Sequence, residues 1–349
     1  MKKTLFAALA LVSMASCSNE EVLEVVQKEA IGFENAFVNN STRSVTDPTI
    51  TIDGTNPLVD FAVYAHVEDA VLFNGVTVDK TTENNDLKSS WKYKGTQYWI
   101  AGADYNFYAV APVTNKKWIL NNNARTGVIL SFENDGTQDV LFAKMAQMGK
   151  VSGNEYVKFE FDHILSKVKF SFENAYDATN ATIKVKNIKI TNAHKNGQVA
   201  LGHSVKSWDE EKYTGTLELD FGMATDNEAT VNVFENDEVE FGEGATYESQ
   251  KELLLIPGTV TGGYIVTFDV ELLVNGTLVK TYKHKATVDF TPLVGCSYDI
   301  KAVINATNID PDNEQEPIEF TVTSIAGWGQ TNNVDGEDVT IENGTTTQP

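Results

Sequence analysis

Apolar residues recur at every second position through most of this chain. Phe61, Val63 and Ala65 alternate with Ala62, Tyr64 and His66, and Val168, Phe170 and Phe172 alternate with Lys167, Lys169 and Ser171. The longest register runs Tyr264, Val266, Phe268, Val270, Leu272, Val274, and a second sets Leu278, Lys280, Tyr282, His284, Ala286, Val288 and Phe290 against Val279, Thr281, Lys283 and Lys285. A period of two puts successive side chains on opposite faces, so these runs predict half-buried antiparallel strands. Asn74-Gly75, Asp135-Gly136, Gly262-Gly263 and Asn275-Gly276 lie between runs as turn signals. Asn275-Gly276 joins two alternating runs directly and predicts a tight hairpin. From Ile183 to Ile190 the alternation slips once, which predicts a bulge near Asn187. No segment of ordinary helix length carries a 3.6-residue apolar stripe, so the expected class is all-β, built as β-sandwiches.

A chain of 349 residues is long enough for two domains, and 42% hydrophobic residues can fill two cores. The junction is expected at residues 159–167, where one strand run ends at Phe161 and the next begins at Lys167. That gives an N-terminal sandwich over 44–161, a C-terminal sandwich over 162–330, and a tail over 331–349 rich in Asn, Asp, Gly and Thr.

The first residues break the pattern. Met1-Lys2-Lys3 precedes an apolar run from Leu5 to Val12, then Ser13-Met14-Ala15-Ser16 and Cys17. A basic head, an apolar stretch too short to span a bilayer, and small residues before a cysteine predict a lipoprotein signal over 1–16 with Cys17 as the lipidated residue. Met14 stands where Leu is usual. Residues 17–43 then form a lipidated tether and a first strand around Ile31-Gly32-Phe33. Ser18-Asn19-Glu20-Glu21 resembles the surface-export signal of Bacteroidales lipoproteins, with a plain soluble tether as the alternative.

A formal net charge of −22 argues against nucleic acid or anionic lipid as the main partner, since both need a basic face. With Cys17 given to lipid, Cys296 is left without a disulfide partner and reads as a buried structural thiol. The five histidines include no pair with a third ligand at metal spacing, although His194 and His203 flank one apparent turn. No metal, cofactor or catalytic residue is assigned. Trp91, Tyr93, Tyr98 and Trp99 make either a sugar-stacking platform or buried strand aromatics.

One segment is more specific. Phe159-Glu160-Phe161-Asp162-His163 followed by Ile164-Leu165-Ser166-Lys167-Val168-Lys169-Phe170 resembles the junction motif of the fimbrillin family, type V pilus subunits of Bacteroidales. Asp139-Val140-Leu141-Phe142-Ala143, Leu253-Leu254-Leu255-Ile256-Pro257-Gly258 and Ile325-Ala326-Gly327-Trp328 resemble three further strands of that family, in the same order. His163 and Lys167 are read as a structural junction pair, the His bonding backbone and fixing the chain direction.

The resemblance implies two β-sandwich domains of transthyretin- or immunoglobulin-like type, export as an outer-membrane lipoprotein to the cell surface, and in stalk subunits cleavage after an Arg. Cleavage removes the first strand, and a neighbouring subunit's C-terminal segment fills the groove. Of the two arginines, Arg43 in Ser41-Thr42-Arg43-Ser44 matches that processing context, with a plain surface arginine as the alternative; Arg125 does not. Ile31 and Phe33 are the strand that would leave. Ile318, Phe320 and Val322 are the donor or last-strand face, which Val339 and Ile341 extend. The leading expectation is a structural pilus subunit whose partners are other pilus subunits. The alternative is a non-polymerising surface lipoprotein, as a pilus tip, an anchor, or an adhesion module for glycans or host proteins. A β-sandwich glycosidase comes third.

Overall fold

A computed structural model describes residues 29–38, 58–81, 91–113, 117–148, 156–177, 180–202, 206–225, 244–312, 317–325 and 341–342. Its regular structure is β throughout, apart from one 3-10 turn at Glu210–Lys212. The first lobe contains β1 (Gly32–Val38), β2 (Asp60–Val67), β3 (Ala70–Lys80), β4 (Trp91–Tyr93) and β5 (Asp104–Ala111). Next come β6 (Trp118–Ala124) and β7 (Gly127–Glu133), then β8 (Leu141–Met148) and β9 (Tyr156–His163). The second lobe contains β10 (Ser166–Ala175), β11 (Ala181–Gly202), β12 (Lys206–Trp208), β13 (Thr214–Gly222), β14 (Ala224–Thr225), β15 (Thr246–Ser249) and β16 (Leu253–Leu255). It ends with β17 (Tyr264–Val274), β18 (Thr277–Val288), β19 (Ser297–Asn305), β20 (Phe320–Ile325) and β21 (Ile341–Glu342).

In the first lobe the strands join edge to edge in the order β1-β4-β3-β2-β5-β8-β9 and close into a barrel. Closure removes free sheet edges, and it depends on β1, which pairs with β9 on one side and β4 on the other. The second lobe is a sandwich of two sheets, β14-β15-β10-β19-β20-β21 facing β18-β17-β11-β7-β6. Its core takes Val168, Phe170 and Phe172 from one sheet and Ile183, Val185, Val266 and Phe268 from the other. The Asn275-Gly276 hairpin forms as expected, with both residues at positive φ and Val274 opposite Thr277. Asn187 sits at φ 53° where the β11–β17 register shifts between Lys186 and Lys189, which is the bulge expected there.

Two expectations need correction. β2 is buried on both faces rather than half-buried. Phe61, Val63 and Ala65 enter the barrel core, while Ala62 and Tyr64 enter a third core between the lobes. The second row is buried because β6 and β7, although they lie within 44–161, leave the barrel and pair onto β11 of the second lobe. There they cover the outside of β2 and β5. In β18 the near end is as expected, with His284, Ala286 and Val288 buried, but Leu278 at the hairpin tip is 52% exposed.

His284 carries a pH consequence. Its ring stacks on Phe268 at 5.0 Å, and Nε2 lies 3.1 Å from the Ile309 carbonyl oxygen, to which it donates in the neutral form. Burial pushes its pKa down to about 4, outweighing the Ile309 bond and the charges of Asp269 and Asp310, which act upward. Between about pH 6.5 and 4 the unfolded chain therefore binds a proton that the folded chain refuses. Stability falls as pH drops through that window, by about 3 kcal/mol in all, and this term is flat below it. Urea titrations at pH 7, 5.5 and 4 should show the drop, and His284→Leu should flatten it; an equal slope in the variant would assign the acid sensitivity elsewhere.

Candidate functional site

The site is the slot that β1 fills. Gly32, Phe33 and Glu34 run parallel to Tyr156, Val157 and Lys158 of β9, and Phe33 lies opposite Trp91 of β4. The register against β9 shifts between Glu34 and Phe37 and resumes at Phe37–Glu160 and Val38–Phe161. Just upstream, Ala30 bridges Tyr98, the Ile31 amide donates to the Gln97 carbonyl at 2.8 Å, and the Trp99 amide donates to the Glu29 carbonyl at 2.9 Å. Tyr93 Oη donates to the Ile31 carbonyl at 2.8 Å and accepts from the Gln97 amide at 3.1 Å. Burial raises the pKa of the Tyr93 hydroxyl, so it stays protonated as the donor. Segment 97–99 is thus part of the slot, a role that no periodic signal in its sequence announces.

Ile31 and Phe33 are both 1% exposed. The Phe33 ring meets Phe61, Phe73, Tyr93 and Phe107 edge-on at 5.5 to 6.4 Å, and stacks on Phe159 at 5.8 Å with 15° between planes. Burying the two side chains is worth about 3–6 kcal/mol. Gly32 lies against the Tyr156 ring, where a Cβ would collide with it. The slot is an apolar, aromatic groove flanked by strand backbone on both sides, which suits an extended chain with large apolar residues at alternate positions.

Cys17, Arg43 and Ser44 lie outside the described residues, as do His203, Trp328 and Val339. His163, at the end of β9, pairs through Nδ1 with the Asp139 carboxylate, both groups being buried. Leu141 lies opposite His163 across β8 and β9, which brings the two motifs together and sets the His163 ring against a carboxylate. Lys167 instead reaches Glu252 at 2.7 Å, and its amide donates to the Cys296 carbonyl at 2.9 Å. Ile318, Phe320 and Val322 are buried in this chain's own second core, with β20 paired to β19 and, at Thr321 and Val322, to β21. Trp91 and Trp99 are buried in the barrel core, so they form no sugar platform; Tyr98 is exposed. Cys296 is half-buried, and burial raises its thiol pKa, which disfavours the nucleophilic thiolate. The His194 ring lies tilted against Tyr213 at 4.3 Å, and among the described residues no His, Cys, Asp and Glu cluster could hold a metal.

The profile of the fimbrillin-like family matches residues 42–328. A fimbrial protein from Bacteroides vulgatus ATCC 8482 has a similar fold, with TM-score 0.59 and 15% identity over 86% of this chain and 99% of that one. The fimbrial anchor protein Mfa2 from Porphyromonas gingivalis aligns with TM-score 0.36 and 11% identity over 84% of this chain and 97% of that one. No curated protein matches the chain in sequence. With a family profile spanning most of its length, this chain belongs to the fimbrillin-like family.

Proposed function

We propose that the protein is a structural subunit of a cell-surface pilus that polymerises by strand exchange, with β1 as the strand that leaves. The observation that carries this reading is the position of β1: it closes the barrel by pairing with β4 and β9, and Phe33 fills the aromatic groove between them. Cleavage after Arg43 separates β1 from the body of the first lobe. Its departure opens a groove with unpaired backbone on both sides, which is an aggregation hazard unless another strand takes its place at once. Keeping β1 until assembly is the safeguard. The donor comes from residues 331–349 of a neighbouring subunit, with the two-residue β21 giving up its pairing to β20, because Ile318, Phe320 and Val322 are committed to the chain's own core. The lipid on Cys17 is then a delivery device that leaves with residues 17–43. The chemistry asked of the protein is recognition rather than catalysis, and its partners are other subunits.

N-terminal sequencing of surface-extracted protein should return Ser44, and unboiled gels should show detergent-resistant ladders. An intact, lipidated Cys17 in assembled material would reject the stalk role and assign the chain to an anchor or adhesion lipoprotein that keeps its first strand.

A further inference from the structure

The two lobes meet at Ile164 and Leu165, a link short enough to serve as a hinge. The surrounding structure denies it that freedom. The Ile164 amide donates to the Val140 carbonyl at 3.2 Å on the first-lobe side, while its own carbonyl accepts from Trp208 Nε1 at 2.8 Å on the second-lobe side. The Leu165 carbonyl accepts from the Gly295 amide at 2.9 Å.

The β6–β7 hairpin adds a second connection. β7 pairs with β11 along its whole length, from Glu133 opposite Asn196 to Gly127 opposite Gly202. The same hairpin is fastened to the barrel: Tyr108 Oη donates to the Arg125 carbonyl at 2.9 Å and Asn123 Nδ2 to Asn74 Oδ1 at 3.3 Å. Val128, Leu130 and Phe132 share the interlobe core with Tyr108 and Phe142 of the barrel and with Val199 and Trp208 of the second lobe. Past β7, the Asn134 side chain donates to the Leu254 carbonyl at 2.9 Å.

We propose that the β6–β7 hairpin is an interlobe tie, so that barrel and sandwich open, unfold and carry load as a single unit. Tension applied across the molecule then acts on a continuous sheet as well as on the two-residue link. The hairpin cannot leave β11 without uncovering the outer faces of β2 and β5. The inference does not depend on strand exchange, and its test needs no assembly.

Gly127 gives a local way to cut the tie. It sits at φ 152°, and a Cβ there would strike the Leu201 carbonyl oxygen, so Gly127→Val pushes β7 away from β11 without touching either lobe's own core. In the full-length wild type, calorimetry should show one transition, and amides of 60–67 and 264–274 should exchange with the same urea dependence. Gly127→Val should split the transition and separate the two exchange rates at least tenfold. In an Arg43→Lys background, where Arg125 is the one arginine left in the sequence, Gly127→Val should make an Arg-specific protease cut Arg125–Thr126 at least tenfold faster, since the two-residue turn has to open to be cleaved. Two wild-type transitions, or a variant in which both segments still open together, would overturn the proposal. If Gly127→Val does not fold, Gly202→Ala, whose Cβ meets the Thr126 carbonyl from the opposite strand, provides a second variant, and the wild-type measurement stands by itself.

Discussion

Phe33→Ala is expected to destabilise the full-length protein by about 3–5 kcal/mol, the range for truncating a buried aromatic. The side chain is 1% exposed, and the rings of Phe61, Phe73, Tyr93, Phe107 and Phe159 are positioned by other strands, so the hole cannot collapse cheaply. Edge-on and stacked ring pairs contribute about 0.5–1.5 kcal/mol each beyond area burial, and they are not independent here because all share one ring. The backbone partners of the strand survive the change: Ile31 keeps its bonds to Gln97 and Tyr93. The loss should therefore appear as a lower urea midpoint with an unchanged slope, which signals reduced stability rather than a native state already opened. Val59→Ala, at a position 53% exposed, should stay within about 0.5 kcal/mol of wild type and serves as the control. A loss below 1 kcal/mol for Phe33→Ala would mean that β1 is not held by its aromatic anchor. On the strand-exchange reading, the same variant should also release residues 17–43 faster after cleavage at Arg43.

The strands, the Asn275-Gly276 hairpin and the bulge at Asn187 were legible because each is written in a few consecutive residues. Alternation says which residues share a face, but not what covers that face. Ala62 and Tyr64 read as part of an outer row, and they are buried because a hairpin some sixty residues further on lies over them. The destination of β6 and β7 has no local signal, since Val128, Leu130 and Phe132 alternate equally well whether they join a barrel or a neighbouring sheet. The candidate site was legible in part: Ile31 and Phe33 mark a strand, but not that it lies parallel to β9 or that segment 97–99 completes the slot. The Asp139 and His163 motifs were each visible, whereas their meeting is set by the β8–β9 register.

That meeting carries the other large effect. His163→Ala leaves the Asp139 carboxylate buried without its ring partner, and removing one member of a buried pair costs about 3–5 kcal/mol. Asp139 still accepts from the Val140 amide at 2.8 Å, but that bond does not replace the imidazole that lies against Oδ2. The cost is therefore chiefly that of a desolvated charge, and it should shrink when the charge is removed. Asp139→Asn combined with His163→Leu preserves an acceptor for Val140 and fills the imidazole space with apolar atoms, so the double variant should regain at least half of what His163→Ala loses. Additive losses in a cycle of Asp139→Asn and His163→Leu would instead show that each residue acts through separate packing. His163 ends β9, and the next residue, Ile164, is bonded to both lobes. If the lobes are tied as proposed, the loss should lower one shared transition, because neither lobe can yield at this junction while the other stays folded.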